Sequence, residues 1–346
     1  MIFQQLPIKY PLPAMEAASV AELPEAGDWI YEPKWDGFRC LAWKDDGEVR
    51  VQSKAEKPLG RYFPEIAEAI AGLKADACVL DGELVVPDGK QFSFDLLLQR
   101  IHPAESRVQR LAAESPALFV VFDLLVDEHR NSIHELPMKK RRVALEQFFK
   151  RFCEGNPHLC LSPSSTDPAS TRQWLKKSGN ALDGIICKHG DLPYRSGERD
   201  GMSKVKFLKT ADCVVGGFRY SSAGKGIGSL LLGLYDEDGL LHHVGHCTAS
   251  GRMTGKDLRQ PLEKLREAPG FSGKSPGGPS RWSQGRDAAW EPLRPDLVIE
   301  VEYDHVTGGR FRHGTRFLRW RPDKRPDQCR MEQIHMQKGK PLALLK

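Results

Sequence analysis

Along the first two hundred positions, two hydrophobic patterns alternate. Short apolar runs at residues 78–86, within ACVLDGELVV, and at 118–126, LFVVFDLLV, predict strands. Apolar residues that return every three or four positions predict helices over 62–73, 139–152 and 170–178. The KKRR at 139–142 would open the second of these as a basic face, and a solvated surface is the simpler reading of it. The texture changes near residue 210. Beyond Ala211, the segments CVVGGFRY, SLLLGLY, LLHHVGHC, LVIEVEYDHV and RFRHGTRFLRW read as strands separated by glycine-containing turns, with one helix at about 254–267. Five strands and one helix suit a small closed barrel of the OB type, a fold that often presents a nucleic-acid-binding surface. Residues 268–295, rich in Gly, Pro and Ser, predict a long loop. No internal repeat is visible, so the reading is of two domains, 1–210 and 211–346, in an α+β chain.

Composition narrows the class. A chain of 346 residues has room for two cores, and 40% hydrophobic with 28% charged residues is ordinary for a folded globular protein rather than a disordered one. The formal charge of +5 is mild but unevenly placed: residues 305–346 hold eleven Lys or Arg against three acids. A basic end on a near-neutral body suggests a polyanionic partner, although a solvated basic surface explains it equally well until the motifs are considered. The eight cysteines are scattered and form no C-x-x-C pair, which argues against a zinc ribbon or redox couple and fits a reducing cytosol. The opening MIFQQLPIKYPLPAM breaks its apolar residues with Pro and Lys, unlike a signal peptide, and no stretch approaches a membrane span. The expected location is cytoplasmic.

The sharpest local signal is Glu32-Pro33-Lys34-Trp35-Asp36-Gly37-Phe38-Arg39. Its fixed letters, K-x-D-G-x-R, would arise by chance in well under about 1% of chains this long, so coincidence is a poor account. A lysine amine attacks only when neutral, and a reference pKa of about 10.4 leaves it protonated at neutral pH. Desolvation and neighbouring cations lower that value. Gly37 would let the backbone pass close to a phosphate, and Arg39 has a forked donor set for phosphate or sugar oxygens. In Leu80-Asp81-Gly82-Glu83-Leu84, Glu83 places a carboxylate in an apolar strand, where it should face a ligand or metal. Phe122, in VVFDL, is a buried-strand aromatic able to stack on a purine, although plain core is the commoner fate of such a residue. Leu182-Asp183-Gly184-Ile185-Ile186-Cys187-Lys188 follows, and then Ser203-Lys204-Val205-Lys206-Phe207. Lys204 and Lys206 share one face of a strand, which calls either for an anion between them or for a lysine-guarded sheet edge. Near the end, Arg319 and Arg321 alternate onto one face with Asp323 and Lys324 beyond, a basic strand suited to a DNA backbone or a leaving pyrophosphate.

In this order, K-x-D-G-x-R, D-G-E, F-D, D-G-I-I-x-K, K-x-K and R-x-D-K, the chain resembles the covalent nucleotidyltransferases, and among them the ATP-dependent DNA ligases. SPALFVVFDLL, TADCVVGGF and the RFRHGTRFLRWRPDK ending resemble the short standalone bacterial ligases called ligase C and the ligase domain of ligase D. The resemblance implies a nucleotidyltransferase domain of antiparallel sheets and helices followed by an OB-fold domain. It implies that Lys34 forms a lysyl-AMP from ATP, with Glu32 beside the adenine, Phe122 stacked on it, and Trp35 and Ile186 in the same pocket. Arg39 and Glu83 would hold ribose or phosphate, Lys204 and Lys206 the α-phosphate, and Arg321, Asp323 and Lys324 the pyrophosphate. Glu83 and Asp183 would serve Mg²⁺ or Mn²⁺. Asp183 stands where many relatives carry Glu, and Lys54 where they often carry Arg, so a single-point phosphate contact replaces a forked one. Nicked duplex DNA is the implied partner, with an end-binding repair protein as a further candidate, for a monomer associated with the nucleoid. An RNA ligase or a GTP-using capping enzyme shares the lysine motif, and a catalytically silent DNA-binding module is the rival from another class.

Overall fold

The computed structural model describes residues 3–178, 182–221, 226–249, 255–277, 289–335 and 339–345. The chain divides into two units, Met1–Phe207 with Gln337–Lys346, and Leu208–Met336. The first unit contains, in chain order, β1 (Trp29–Lys34), β2 (Phe38–Asp45), β3 (Glu48–Ser53), α1 (Pro64–Ala71), β4 (Ala77–Val85), α2 (Phe94–Gln99), α3 (Glu105–Glu114), β5 (Leu118–Val126), α4 (Met138–Phe148), β6 (Leu159–Leu161), α5 (Ala169–Ser178), β7 (Gly184–His189) and β8 (Met202–Lys206).

Two sheets carry this unit. One runs β3-β2-β4-β5-β6 and the other Ala18–Ser19, β8, β7, β1. Pairing is antiparallel except at two short strands: β6 lies parallel to β5, and Ala18–Ser19 parallel to β8. β4 and β5 are central strands covered on both faces, which is why they read as unbroken apolar runs. Helix α1 begins with Pro64 in its first turn and ends under the buried Lys44 ammonium, which donates to the carbonyls of Ala71 and Leu73.

Helices α2 and α3 were not among the sequence expectations, yet both leave a signal. Ser93 caps α2 by accepting from the Leu96 amide at 3.2 Å, and Val108, Leu111 and Ala112 give α3 one buried face. Helix α4 overturns the solvated reading of KKRR. Met138, Arg141, Arg142, Leu145 and Phe148 form its buried stripe, so two of the four basic residues point inward. Arg141 makes a forked pair with Asp123 at 2.9 and 3.1 Å, and Arg142 bonds Glu146 at 2.7 Å and the Ser162 carbonyl at 2.8 Å.

The second unit contains β9 (Lys209–Tyr220), β10 (Ile227–Tyr235), β11 (Leu241–Thr248), α6 (Gly255–Glu263), β12 (Val298–Tyr303), β13 (Val306–Thr307), β14 (Arg310–Phe311) and β15 (Arg316–Trp320). Its main sheet runs β11-β10-β9-β12-β15, and a parallel bridge from Cys247 to Thr315 joins the ends into a barrel. Leu230, Leu231, Leu232, Phe218 and Ile299 are fully buried in it. The loop expected over 268–295 is more structured than its composition suggests. Phe271 is core and Glu291–Pro292 pairs with β9, while 278–288 lie outside the described residues, as does Thr254 at the start of the expected helix.

The last stretch departs from the expected two-domain split. Residues 339–345 belong to the first unit: Lys340 donates its amide to the Ser178 carbonyl at 2.9 Å, and Leu344 and Leu345 pack on the cluster around Trp174. Among the described residues, no helix is long and apolar enough to cross a membrane.

Candidate active site

Strand register explains how residues far apart in sequence meet. In the smaller sheet, Ile186 lies opposite Glu32 on one side and Lys204 on the other, so these three form one row. The neighbouring rows are Lys34-Gly184-Lys206 and Ile30-Lys188-Met202. In the larger sheet Arg39 lies opposite Glu83. A cleft with about 220 Å³ of open volume is lined from both sheets by Glu32, Lys34, Trp35, Arg39, Lys54, Glu83, Phe122, Ile186 and Lys204, together with Met15, Glu16, Lys188 and Met202. Nine expected residues thus share one cavity.

The Lys34 amine donates to an Asp183 carboxylate oxygen. Burial pushes the amine below its ordinary pKa; Glu83 and Asp36 oppose that shift, and Lys206 and Lys204 reinforce it. Burial also lowers Lys204, with Lys206 as its next cause. Lys204 is not on a sheet edge, because Ser19 pairs against it, so strand protection does not explain its charge. Burial raises Glu83 to about 7 despite Arg39 and Lys34.

Several details differ from expectation. Arg39 spends two donors on the fully buried Asp81, at 2.5 and 2.6 Å, and its guanidinium carbon sits 4.5 Å from the centre of the Phe122 ring. Tyr194 also donates to Asp81, at 2.7 Å, and receives the Met15 amide at 2.9 Å, which pins the chain at the cleft wall. Gly37 is required by protein rather than by a phosphate: a Cβ there would overlap the Leu84 carbonyl oxygen. Lys54 pairs with Glu16 at 2.9 Å, and this contact, with Arg199, holds Glu16 down at about 2.

Lys188, quoted in its motif but not assigned to the site, is the main omission. Its ammonium bonds Glu32 at 3.1 Å and the Phe122 carbonyl at 2.9 Å, and lies 4.7 Å from the Phe122 ring centre. Arg142 stands 3.8 Å from the same Glu32 carboxylate, which is 2% exposed. The signal was alternation: on β7, Lys188 must face the same way as Ile186.

Arg321, Asp323 and Lys324 lie in the second unit and form their own cluster. Arg321 bonds Asp212 at 2.7 Å and Asp323 at 2.9 Å, and Lys324 stands 3.4 Å from Asp212. Among the described residues, no group of three His, Cys, Asp or Glu side chains could hold a metal ion. A divalent cation would therefore find one or two carboxylates here and need phosphate oxygens to complete its shell, which is the usual way Mg²⁺ is bound. Glu83, raised by burial even with Arg39 and Lys34 beside it, suits that role; Asp183 is already bonded to Lys34.

Comparison with known proteins agrees across the chain. A family model described as ATP dependent DNA ligase domain matches residues 12–206, and one described as ATP dependent DNA ligase C terminal region matches 223–324. DNA ligase C1 of Mycolicibacterium smegmatis is 45% identical over 345 residues, covering 95% of both chains. The multifunctional non-homologous end joining protein LigD of Pseudomonas aeruginosa is 31% identical over 324 residues, 91% of this chain but 36% of that protein. A solved Lig E DNA ligase superposes with a TM-score of 0.54 at 16% identity, covering 89% of this chain and all of that one, which speaks for the fold.

Proposed function

The chain belongs to the ATP-dependent DNA ligases, and from that premise we propose that Lys34 is the nucleophile and that the cleft around it is where ATP is consumed. One observation carries this reading: the Lys34 amine, depressed by burial, shares a single cleft with an aromatic ring, the buried Glu32 carboxylate and further cations. The Asp183 carboxylate that accepts its hydrogen bond is the nearest base for the proton it must lose. The neutral amine attacks the α-phosphorus of ATP, a P–N bond forms, the P–O bond to pyrophosphate breaks, and AMP remains on Lys34. A DNA 5′-phosphate then takes the AMP, and the adjoining 3′-hydroxyl displaces it to close the strand.

Each side chain has a task in that sequence. Glu32, bonded to Lys188 at 3.1 Å with Arg142 at 3.8 Å, presents an acceptor suited to the adenine amino group. Phe122 offers the apolar wall for the base, and Trp35, fixed by its indole donor on Ser162 at 3.0 Å, and Ile186 complete it. Arg39 and Lys54 face ribose and phosphate, each already oriented by a carboxylate. Lys204 and Lys206 neutralise charge at the α-phosphate; Arg321, Asp323 and Lys324 of the second unit serve the leaving pyrophosphate. A bound Mg²⁺ or Mn²⁺, with Glu83 as its protein contact, would supply charge neutralisation on the phosphates, while Asp183 stays engaged with Lys34.

The similarity to ligase C and LigD proteins supports a place in DNA repair; an end-binding partner and a cytoplasmic, nucleoid-associated monomer are parts of the same proposal. The test is labelling with α-labelled ATP. Wild type should acquire a label stable to alkali and labile to acid, as a phosphoramidate is, and Lys34→Ala should acquire none. Full labelling of the variant removes the nucleophile assignment.

A further inference from the structure

Among the described residues of the second unit, four basic side chains gather without an acid. Arg219 comes from β9, His243 and His246 from β11, and Arg310 from β14. A guanidinium nitrogen of Arg310 lies 2.8 Å from Nδ1 of His243. Guanidinium can only donate, so Nδ1 must accept, and the proton of the neutral ring sits on Nε2. His243 is 5% exposed, and among the described residues that Nε2 has no hydrogen-bond partner. The buried Nε of Arg219 has none either. Among the described residues, no carboxylate pairs with any of the four. Burial, then Arg310 and Arg219, hold His243 at about 3, so the ring is neutral at physiological pH. His246, at the rim, is lowered first by desolvation and then by the same two arginines.

A buried donor without an acceptor is costly, and two such donors beside two guanidiniums call for one kind of ligand. It must carry negative charge, offer several acceptor oxygens and donate nothing. A phosphodiester meets all three conditions. We propose that Arg219, His243 and Arg310 form a notch that receives one phosphate of the DNA backbone, with His246 at its rim. The proposal rests on the reading that the chain acts on DNA; it adds where the second unit grips the strand, independently of the Lys34 cleft.

Two measurements test it. Arg219→Gln and Arg310→Gln should self-adenylate with labelled ATP, without DNA, as wild type does. Their affinity for a nicked duplex should fall about tenfold each at low salt, and the slope of log affinity against log salt should shrink by about one. In unmutated protein carrying ¹⁵N-histidine, the His243 Nε2 signal should move when nicked duplex is added and stay in place with inorganic phosphate or pyrophosphate. Unchanged affinity and slope in variants that adenylate normally overturn the proposal, as does a His243 signal that ignores DNA or answers equally to free phosphate. Absence of label in wild type would instead count against the Lys34 reading, so the two failures are distinguishable.

Discussion

Replacing Glu83 with Gln removes a carboxyl group that burial raises from 4.5 to about 7. An acid that holds its proton more tightly folded than unfolded contributes fully to stability below its unfolded pKa. That contribution is lost as pH rises through the folded value. The interval is about two and a half pH units at about 1.36 kcal/mol each, a ceiling of roughly 3 kcal/mol, of which roughly 2 falls between pH 5 and pH 8. Solvent reaching the cleft reduces the amount without changing its sign. Glutamine does not titrate, so the variant gains on wild type by that amount over the same range. In a unit of this size each kcal/mol moves Tm by about 2–4 °C, so the Tm gap should widen by about 4–8 °C. The assay is thermal unfolding of both proteins at the two pH values, with chelator and no nucleotide. Parallel pH dependence would refute the claim that Glu83 is an ionisation the fold resists. Adding Mg²⁺ and ATP at pH 8 should then restore wild type more than the variant, because only the carboxylate gains a cation.

Other consequences are as direct. Lys204→Met removes a charge that depresses the Lys34 amine, so the pH-rate profile of self-adenylation should move to higher pH; an unshifted profile with a lowered plateau would limit Lys204 to binding phosphate. Lys188→Met leaves the Glu32 carboxylate buried beside Arg142 alone and should cost about 3 kcal/mol in denaturant melts, part of which Glu32→Gln on the same background recovers. Gly37→Ala sets a methyl against the Leu84 carbonyl oxygen and should cost about 3 kcal/mol; a near-neutral melt would mean that β4 can yield there.

Legibility tracked how local each constraint was. Lys34, Glu83, Lys204 and Ile186 could be read because their neighbours in sequence carry the pattern and strand alternation gives their facing. Arg141 and Arg142 were misjudged by charge, although helix phase placed them with Met138, Leu145 and Phe148 on the buried stripe. The Arg39-Asp81-Tyr194 knot could not be read, because its members come from three separated segments that only the folded sheets bring together. The barrel was visible in the spacing of short apolar runs. The basic notch was not, since nothing in sequence distinguishes a histidine with a stranded donor from one facing water.

The homecoming of residues 339–345 bears on anyone dissecting this enzyme. A gene fragment stopped after Phe207 would keep every lining residue of the nucleotide cleft, yet strip Leu344 and Leu345 from beside Trp174 and orphan the Ser178 carbonyl that Lys340 satisfies. A tractable half-protein would be a re-spliced one, with that tail grafted back through a short linker.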